Sequence, residues 1–254
     1  MEKTFMYINN GYMIFFIKYH IAFLISYFNR NKENNFILMY HKISFLKNNK
    51  DIFAVSYEDF VKQILFLKDR YNLVNLNDID KKKNCFSITF DDGYVDLYNL
   101  VFPFIKKHRI NIIIFITLNK LDKSGYLTFK HLKEMLDSGL VELGCHGNSH
   151  ISLINLNFKI LEKEVEYPKK YLENLFGIEI LYLSFPNGRY DLNTIRYCKD
   201  IGFKKIFNSE LKTIDNIEKK YLLPRICVYK YDTIKILFNK VVGKFDFLNI
   251  NPND

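Results

Sequence analysis

Seven short apolar runs alternate with helix-like segments, and this alternation limits the chain's possible folds more than any other feature. The runs are "FILMY" (Phe36 to Tyr40), "FSITF" (Phe86 to Phe90), "NIIIFIT" (Asn111 to Thr117), "VELG" (Val141 to Gly144), "EILYLSF" (Glu179 to Phe185), "KKIFN" (Lys204 to Asn208) and "RICVY" (Arg225 to Tyr229). Most are apolar almost throughout, which is the pattern of strands covered on both faces, as in a parallel sheet. The intervening stretches carry helix punctuation. Ser56 and Asp59 form a capping box ahead of Phe60, Ile64 and Leu67. Thr128, Asp191 and Asp232 read as N-caps, and Gly139, Gly177, Gly202 and Gly243 as stops. Pro103 and Pro168 each interrupt a helical run. About seven βα units in the chain after the polar break "NRNKENN" suit a closed barrel better than an open sheet. An open doubly wound sheet is the alternative, but no G-x-G-x-x-G follows the first strand.

Composition narrows the possible functions. The 48% hydrophobic content excludes a disordered chain. A net charge of +9 allows an anionic partner, but the lysines are dispersed. No helix carries a basic stripe and no nucleic-acid motif appears, so no nucleic-acid partner is expected. The four cysteines, Cys85, Cys145, Cys198 and Cys227, form no C-x-x-C and read as small buried residues. Cys145 alone adjoins a candidate site. From Tyr12 to Phe28, 14 of 17 residues are apolar, counting Tyr. This reads as an extra N-terminal helix within residues 1–33. It is short for a membrane span, and a central Lys18 costs about 2.5–3.5 kcal/mol there. Membrane association through residues 12–28 and packing on the domain both stay open, so location is open between membrane or cell envelope and cytoplasm, with the envelope favoured.

The chemistry collects just beyond the strand ends, which share one rim in a parallel barrel. "FILMY" delivers His41, "SITF" delivers Asp91 and Asp92, and "VELG" delivers Cys145, His146 and, four residues on, His150. "EILYLSF" delivers Pro186, Asn187 and Gly188. Taken singly, adjacent Asp residues are ordinarily a solvated turn, H-x-x-x-H a surface pair and His41 a structural histidine. His20, His108 and His131 are read in that ordinary way. On one rim, two imidazoles and a carboxylate make a ligand set for zinc or a similar transition ion. The i, i+4 spacing places the two rings on one side of a helical turn. One Asp can bind the ion while its neighbour accepts a proton from water.

"SITFDDGY", "ELGCHGNSHISL", "LSFPNGRYD" and "LLPRICVY" resemble motifs of the polysaccharide deacetylases (carbohydrate esterase family four, the NodB homology domain). "ILMYHKIS" resembles a branch with an N-terminal MYH segment. The similarity runs from about Phe36 to Asp246, within a catalytic domain of residues 34–254. It implies a distorted (β/α)7-type barrel and a metal-dependent hydrolase of carbon–nitrogen bonds other than peptide bonds. Such an enzyme removes N-acetyl groups from an amino-sugar-containing surface polysaccharide or glycan. By resemblance, Asp91 is the base, Asp92, His146 and His150 hold a divalent metal, zinc first, and the Asn187 N–H helps hold the oxyanion. The family commonly carries Arg where Ser184 stands and Tyr where Asn187 stands. Arg225 is expected to supply the missing guanidinium. No histidine follows His150, so His41 is expected to be the general acid. An O-acetyl esterase using the same site, or an inactive glycan-binding barrel, are the alternatives.

Overall fold

The computed structural model describes residues 35–47, 49–79, 81–214 and 221–246. The expected N-terminal helix, residues 1–33 with the 12–28 apolar stretch, lies outside them. The strands are β1 (Phe36–Tyr40), β2 (Lys42–Ser44), β3 (Ala54–Ser56), β4 (Asn72–Leu73), β5 (Cys85–Phe90), β6 (Ile112–Ile116), β7 (Val141–Cys145), β8 (Tyr182–Ser184), β9 (Lys205–Phe207), β10 (Leu222–Leu223) and β11 (Ile226–Cys227). The helices are α1 (Tyr57–Lys68), α2 (Phe102–His108), α3 (Phe129–Asp137), α4 (Phe158–Leu161), α5 (Tyr167–Phe176), α6 (Leu192–Asp200) and α7 (Ile234–Val241). Single π-turns, Leu97–Val101 and Glu162–Glu166, lead into α2 and α5, whose prolines sit in their first turns.

One parallel sheet runs β10-β9-β8-β7-β6-β5-β1-β11, with β4 pairing β5 beside this path. Its two ends are consecutive in the chain, separated only by Pro224 and Arg225. On one side Ile206 and Asn208 donate to the carbonyls of Tyr221 and Leu223, and on the other Val228 donates to that of Met39 (3.0 Å). A single extended stretch thus pairs first with β9 and then with β1, curling the sheet toward a seven-staved barrel. The fold is that expected from the sequence.

Strand parity decides what faces inward. On β5, Phe86, Ile88 and Phe90 pack outward in the large core beneath the helices, while Cys85 belongs to the smaller core inside the barrel. Ile37, Ile113, Phe115, Tyr182 and Phe207 share that interior. Gly144 is required there, because a Cβ would lie 2.5 Å from the Phe115 ring.

Several expectations are corrected. "EILYLSF" forms strand only at Tyr182–Ser184, because the Ile180 N–H is taken by the Glu173 carboxylate (3.0 Å). "RICVY" forms strand only at Ile226–Cys227, and its pairing ends with Val228, since the Tyr229 N–H turns to Asp232 (2.9 Å). Asp232 does not cap α7. Thr233 does so, while Asp232 is buried against Lys240 (2.6 Å). The Ser56 cap holds, although Ser56 Oγ itself donates to the Asp59 carboxylate (2.6 Å). His131 completes the capping box of α3.

Candidate metal centre and active site

The inward rows of the strands run directly into the site. Ile37 and Met39 are followed by His41, Thr89 by Asp91, Gly144 by His146, and Tyr182 by Ser184, each two residues on. Past Asp91 the backbone enters the left-handed region twice, at Asp92 (φ 72°) and Gly93 (φ 76°). The bend sends the two adjacent carboxylates to different partners. Gly93 is needed on two counts, since a Cβ would also lie 2.6 Å from Ile116 Cδ1.

His146 and His150 meet across a loop rather than a helical turn, which corrects the sequence expectation. Gly147 (φ 76°) and His150 (φ 63°) are both left-handed, so no helical hydrogen bonding can form. The loop is held instead by the buried Glu164. Its carboxylate accepts from Ser149 N (2.9 Å) and Ser149 Oγ (2.8 Å), and its carbonyl accepts from Asn148 N (3.0 Å). The two rings lie 4.9 Å apart.

Asp92 Oδ1 lies 3.2 Å from His150 Nε2 and 3.6 Å from His146 Nε2. Ligand atoms of Asp92, His146 and His150 all fall within 4.8 Å of one another. Two ligands bound at about 2.0–2.1 Å with tetrahedral to octahedral angles sit about 2.8–3.4 Å apart. The His150–Asp92 separation falls in this range and the His146–Asp92 separation just outside it, so one small ion would draw the three groups slightly together. The Ser184 carbonyl lies 2.9 Å from His146 Nδ1. A carbonyl only accepts, so Nδ1 carries the proton and Nε2 presents its lone pair to the site. Burial would raise the Asp92 carboxyl, but the His150 hydrogen bond and the nearby imidazoles outweigh it and hold it low. The same hydrogen bond raises His150 above its ordinary value against burial. Burial lowers His146, opposed by both aspartates.

Asp91 faces a different neighbourhood. Arg225, buried completely, donates from Nη1 and Nη2 to both of its oxygens at 2.7 Å. Ser184 Oγ accepts from Arg225 Nη2 (2.7 Å) and donates to Asp91 Oδ2 (2.9 Å). Thr89 Oγ1 accepts from Nη1 (3.1 Å), and the guanidinium lies over Phe115 and Phe207. Burial pushes the Asp91 carboxyl up, but Arg225 overrides this and leaves it well below the usual range. The structure therefore brings the Arg225 guanidinium to Asp91 from the stretch that joins the two ends of the sheet.

A cavity of about 400 Å³ opens over these groups, lined by His41, Asp91, Asp92, His146, His150 and Asn187. His41 packs on Phe53 (centroids 4.5 Å apart), and its buried Nδ1 has no hydrogen-bond partner among the described residues. Burial lowers its pKa, while Asp91 and Asp92 pull it back up. Asn187 adopts φ 57° in the turn after β8. Cys145 stays in the core, its thiol pushed up to about 12 by burial, and is not among the converging ligand atoms. The sequence reading did not identify Asp51, Phe53, Tyr94 and Tyr229 as further cavity residues. Tyr94, two residues beyond Asp92, was open to inference from the inward bend; the others carry no local signal.

A family model described as Polysaccharide deacetylase matches residues 78–206. YxkH of Bacillus subtilis is 27% identical over 201 residues, 76% of this chain and 70% of its own length. The poly-beta-1,6-N-acetyl-D-glucosamine N-deacetylase of Staphylococcus aureus is 26% identical over 219 residues, 78% of this chain and 74% of its own. Among solved structures, Streptococcus pyogenes deacetylase PplD superposes with a TM-score of 0.74 at 20% identity, covering 82% of this chain and 98% of its own. IcaB from Ammonifex degensii gives 0.72 at 19% identity, covering 82% and 97%. At such identities the two structures establish the shared fold.

Proposed function

This chain belongs to the polysaccharide deacetylase family, and on that premise we propose that it is a metal-dependent hydrolase removing N-acetyl groups from an amino-sugar-containing surface polysaccharide or glycan. The observation that carries the reading is the convergence of Asp92, His146 and His150 beside the Arg225-paired Asp91 in one cavity. The named activity of the Staphylococcus aureus relative supports an N-acetyl rather than an O-acetyl substrate. We also place the chain in the MYH branch, with residues 12–28 associating with a membrane or the cell envelope. Among the described residues, no helix is long and apolar enough to cross a membrane.

In the proposed mechanism, Asp92, His146 and His150 would hold a divalent ion, zinc first. Bound there, the ion supplies Lewis-acid polarisation of the acetamide carbonyl and makes water more acidic. Asp91 accepts the proton of the attacking water. Arg225 and Ser184 fix the direction of its carboxylate and keep it ionised. The Asn187 N–H assists the developing oxyanion. His41, whose protonation burial opposes and the Asp91 and Asp92 charges favour, gives a proton to the departing amine. Both oxygens of Asp91 bond to Arg225, so orientation is gained at the expense of intrinsic basicity.

An acetate-release assay on N-acetylglucosamine oligomers, with metal analysis of the same samples, tests this reading. Asp91→Asn should lower kcat by about two to four decades while stoichiometric metal is retained. His146→Ala should lose metal. Full activity in the first variant would remove Asp91 as base, and retained metal in the second would remove His146 from the ligand set.

A further inference from the structure

One wall of the cavity carries a carboxylate that the mechanism does not use. Asp51 and Phe53 lie on the segment joining β2 to β3 and line the cavity together with Tyr229. The segment is held in place. Asn49 Oδ1 accepts from Asp51 N (3.0 Å), Asp51 Oδ1 accepts from Phe53 N (2.9 Å), and Lys230 N donates to Ile52 O (2.9 Å). Lys230 Nζ is committed to the Asn49 carbonyl (2.5 Å), and Lys42 Nζ lies over the Tyr94 ring. Among the described residues, no Lys or Arg forms an ion pair with Asp51, and its Oδ2 makes no hydrogen bond.

Asp51 is the cavity carboxylate without a local counter-charge among the described residues. Asp91 is neutralised by Arg225, and Asp92 faces two imidazoles and the proposed ion site. Asp51 remains as a half-buried negative charge beside the tilted Phe53–Tyr229 pair (centroids 5.6 Å apart). Apolar ring faces with one unpaired carboxylate complement an amino sugar whose nitrogen is free and protonated. A charge-assisted contact of this kind is worth more than one to a neutral hydroxyl.

We propose that Asp51 is a specificity residue that binds the ammonium group of an already deacetylated sugar unit next to the unit being processed, so that partly deacetylated chains are preferred. This rests on the deacetylase reading above and adds the identity of the neighbouring unit. The amine produced at one unit becomes the recognition group for the next.

The test compares kcat/KM of the metal-loaded full chain on two oligomers of equal length, one fully N-acetylated and one with alternating free amines. Wild type should favour the mixed oligomer about tenfold at low salt, with the preference shrinking as salt is added. In Asp51→Asn the ratio should fall to near one, whatever the absolute rates, and Asp51→Glu should restore part of it. A fully deacetylated glucosamine oligomer should inhibit wild type more strongly than Asp51→Asn. An unchanged ratio in Asp51→Asn, or no preference in wild type, would overturn the role of Asp51 and leave deacetylation standing. Absence of acetate release from both oligomers by loaded wild type would overturn both.

Discussion

Asp91 and Asp92 are adjacent in the chain, yet their carboxylates meet different counter-charges. Asp91 is bound by both terminal nitrogens of Arg225, whereas Asp92 faces His146 and His150. The left-handed bend at Asp92 and Gly93 separates them. Their mutual repulsion is thereby offset by two local attractions. Asp92 also raises the His150 imidazole, so in the ion-free protein His150 keeps its proton to a higher pH than an ordinary histidine. An ion must displace that proton before it can bind. Metal affinity should therefore be highest above the raised His150 pKa and fall as pH drops through it, beginning above about pH 6.5. Competition titrations with a chelating dye across pH would measure this, and constant affinity down to pH 5 would contradict it. Ser184 shows the limit of reading a residue by its type. It occupies the position where an arginine was expected, and here its hydroxyl joins the Arg225 guanidinium to Asp91.

At the scale of elements, the site is made by strand ends and the first residues beyond them. Parity along β1, β5, β7 and β8 aims His41, Asp91, His146 and Ser184 inward before any tertiary contact is considered. The loops then supply what parity cannot. Glu164, from the π-turn between α4 and α5, holds the loop that brings His150 back to His146. The buried Asp232–Lys240 pair ties the segment after β11 to α7, with Lys240 Nζ also donating to the Cys227 carbonyl (2.9 Å). Gly93 is the element-level hinge most open to test. Gly93→Ala combines left-handed strain of about 1–2 kcal/mol with displacement of Ile116, about 1–3 kcal/mol more. Urea unfolding should show a loss of about 2–5 kcal/mol, together with weakened metal binding as Asp92 shifts. A variant within about 0.5 kcal/mol of wild type would mean that the turn re-forms without strain.

At the scale of the molecule, the sheet is curled by one stretch of chain, Tyr221 to Val228, which pairs with β9 and then with β1. Arg225 lies at the switch between the two partners, and its guanidinium enters the barrel from there. The two cores are built from apolar side chains, and the proposed ligands sit at the rim. Chelation should therefore abolish acetate release and lower the melting temperature by up to roughly 15 °C, the mass-action share of a tight ligand, while far-UV circular dichroism stays native. Collapse of secondary structure on chelation would show that the ion is structural. The amino-acid sequence determined the alternation of strands and helices, the rim, and the grouping of Asp91, Asp92, His146 and His150, because these depend on local periodicity and on motifs a few residues long. It misassigned the helix start at Asp232 and the path from His146 to His150, where buried side chains outside the segment compete for the backbone. The contact between Arg225 and Asp91 spans 134 positions, and Asp51 reaches the same cavity from a loop with no motif. Only closure of the barrel brings such groups together, since contacts between distant segments depend on how the whole sheet curls and leave no signature in local sequence.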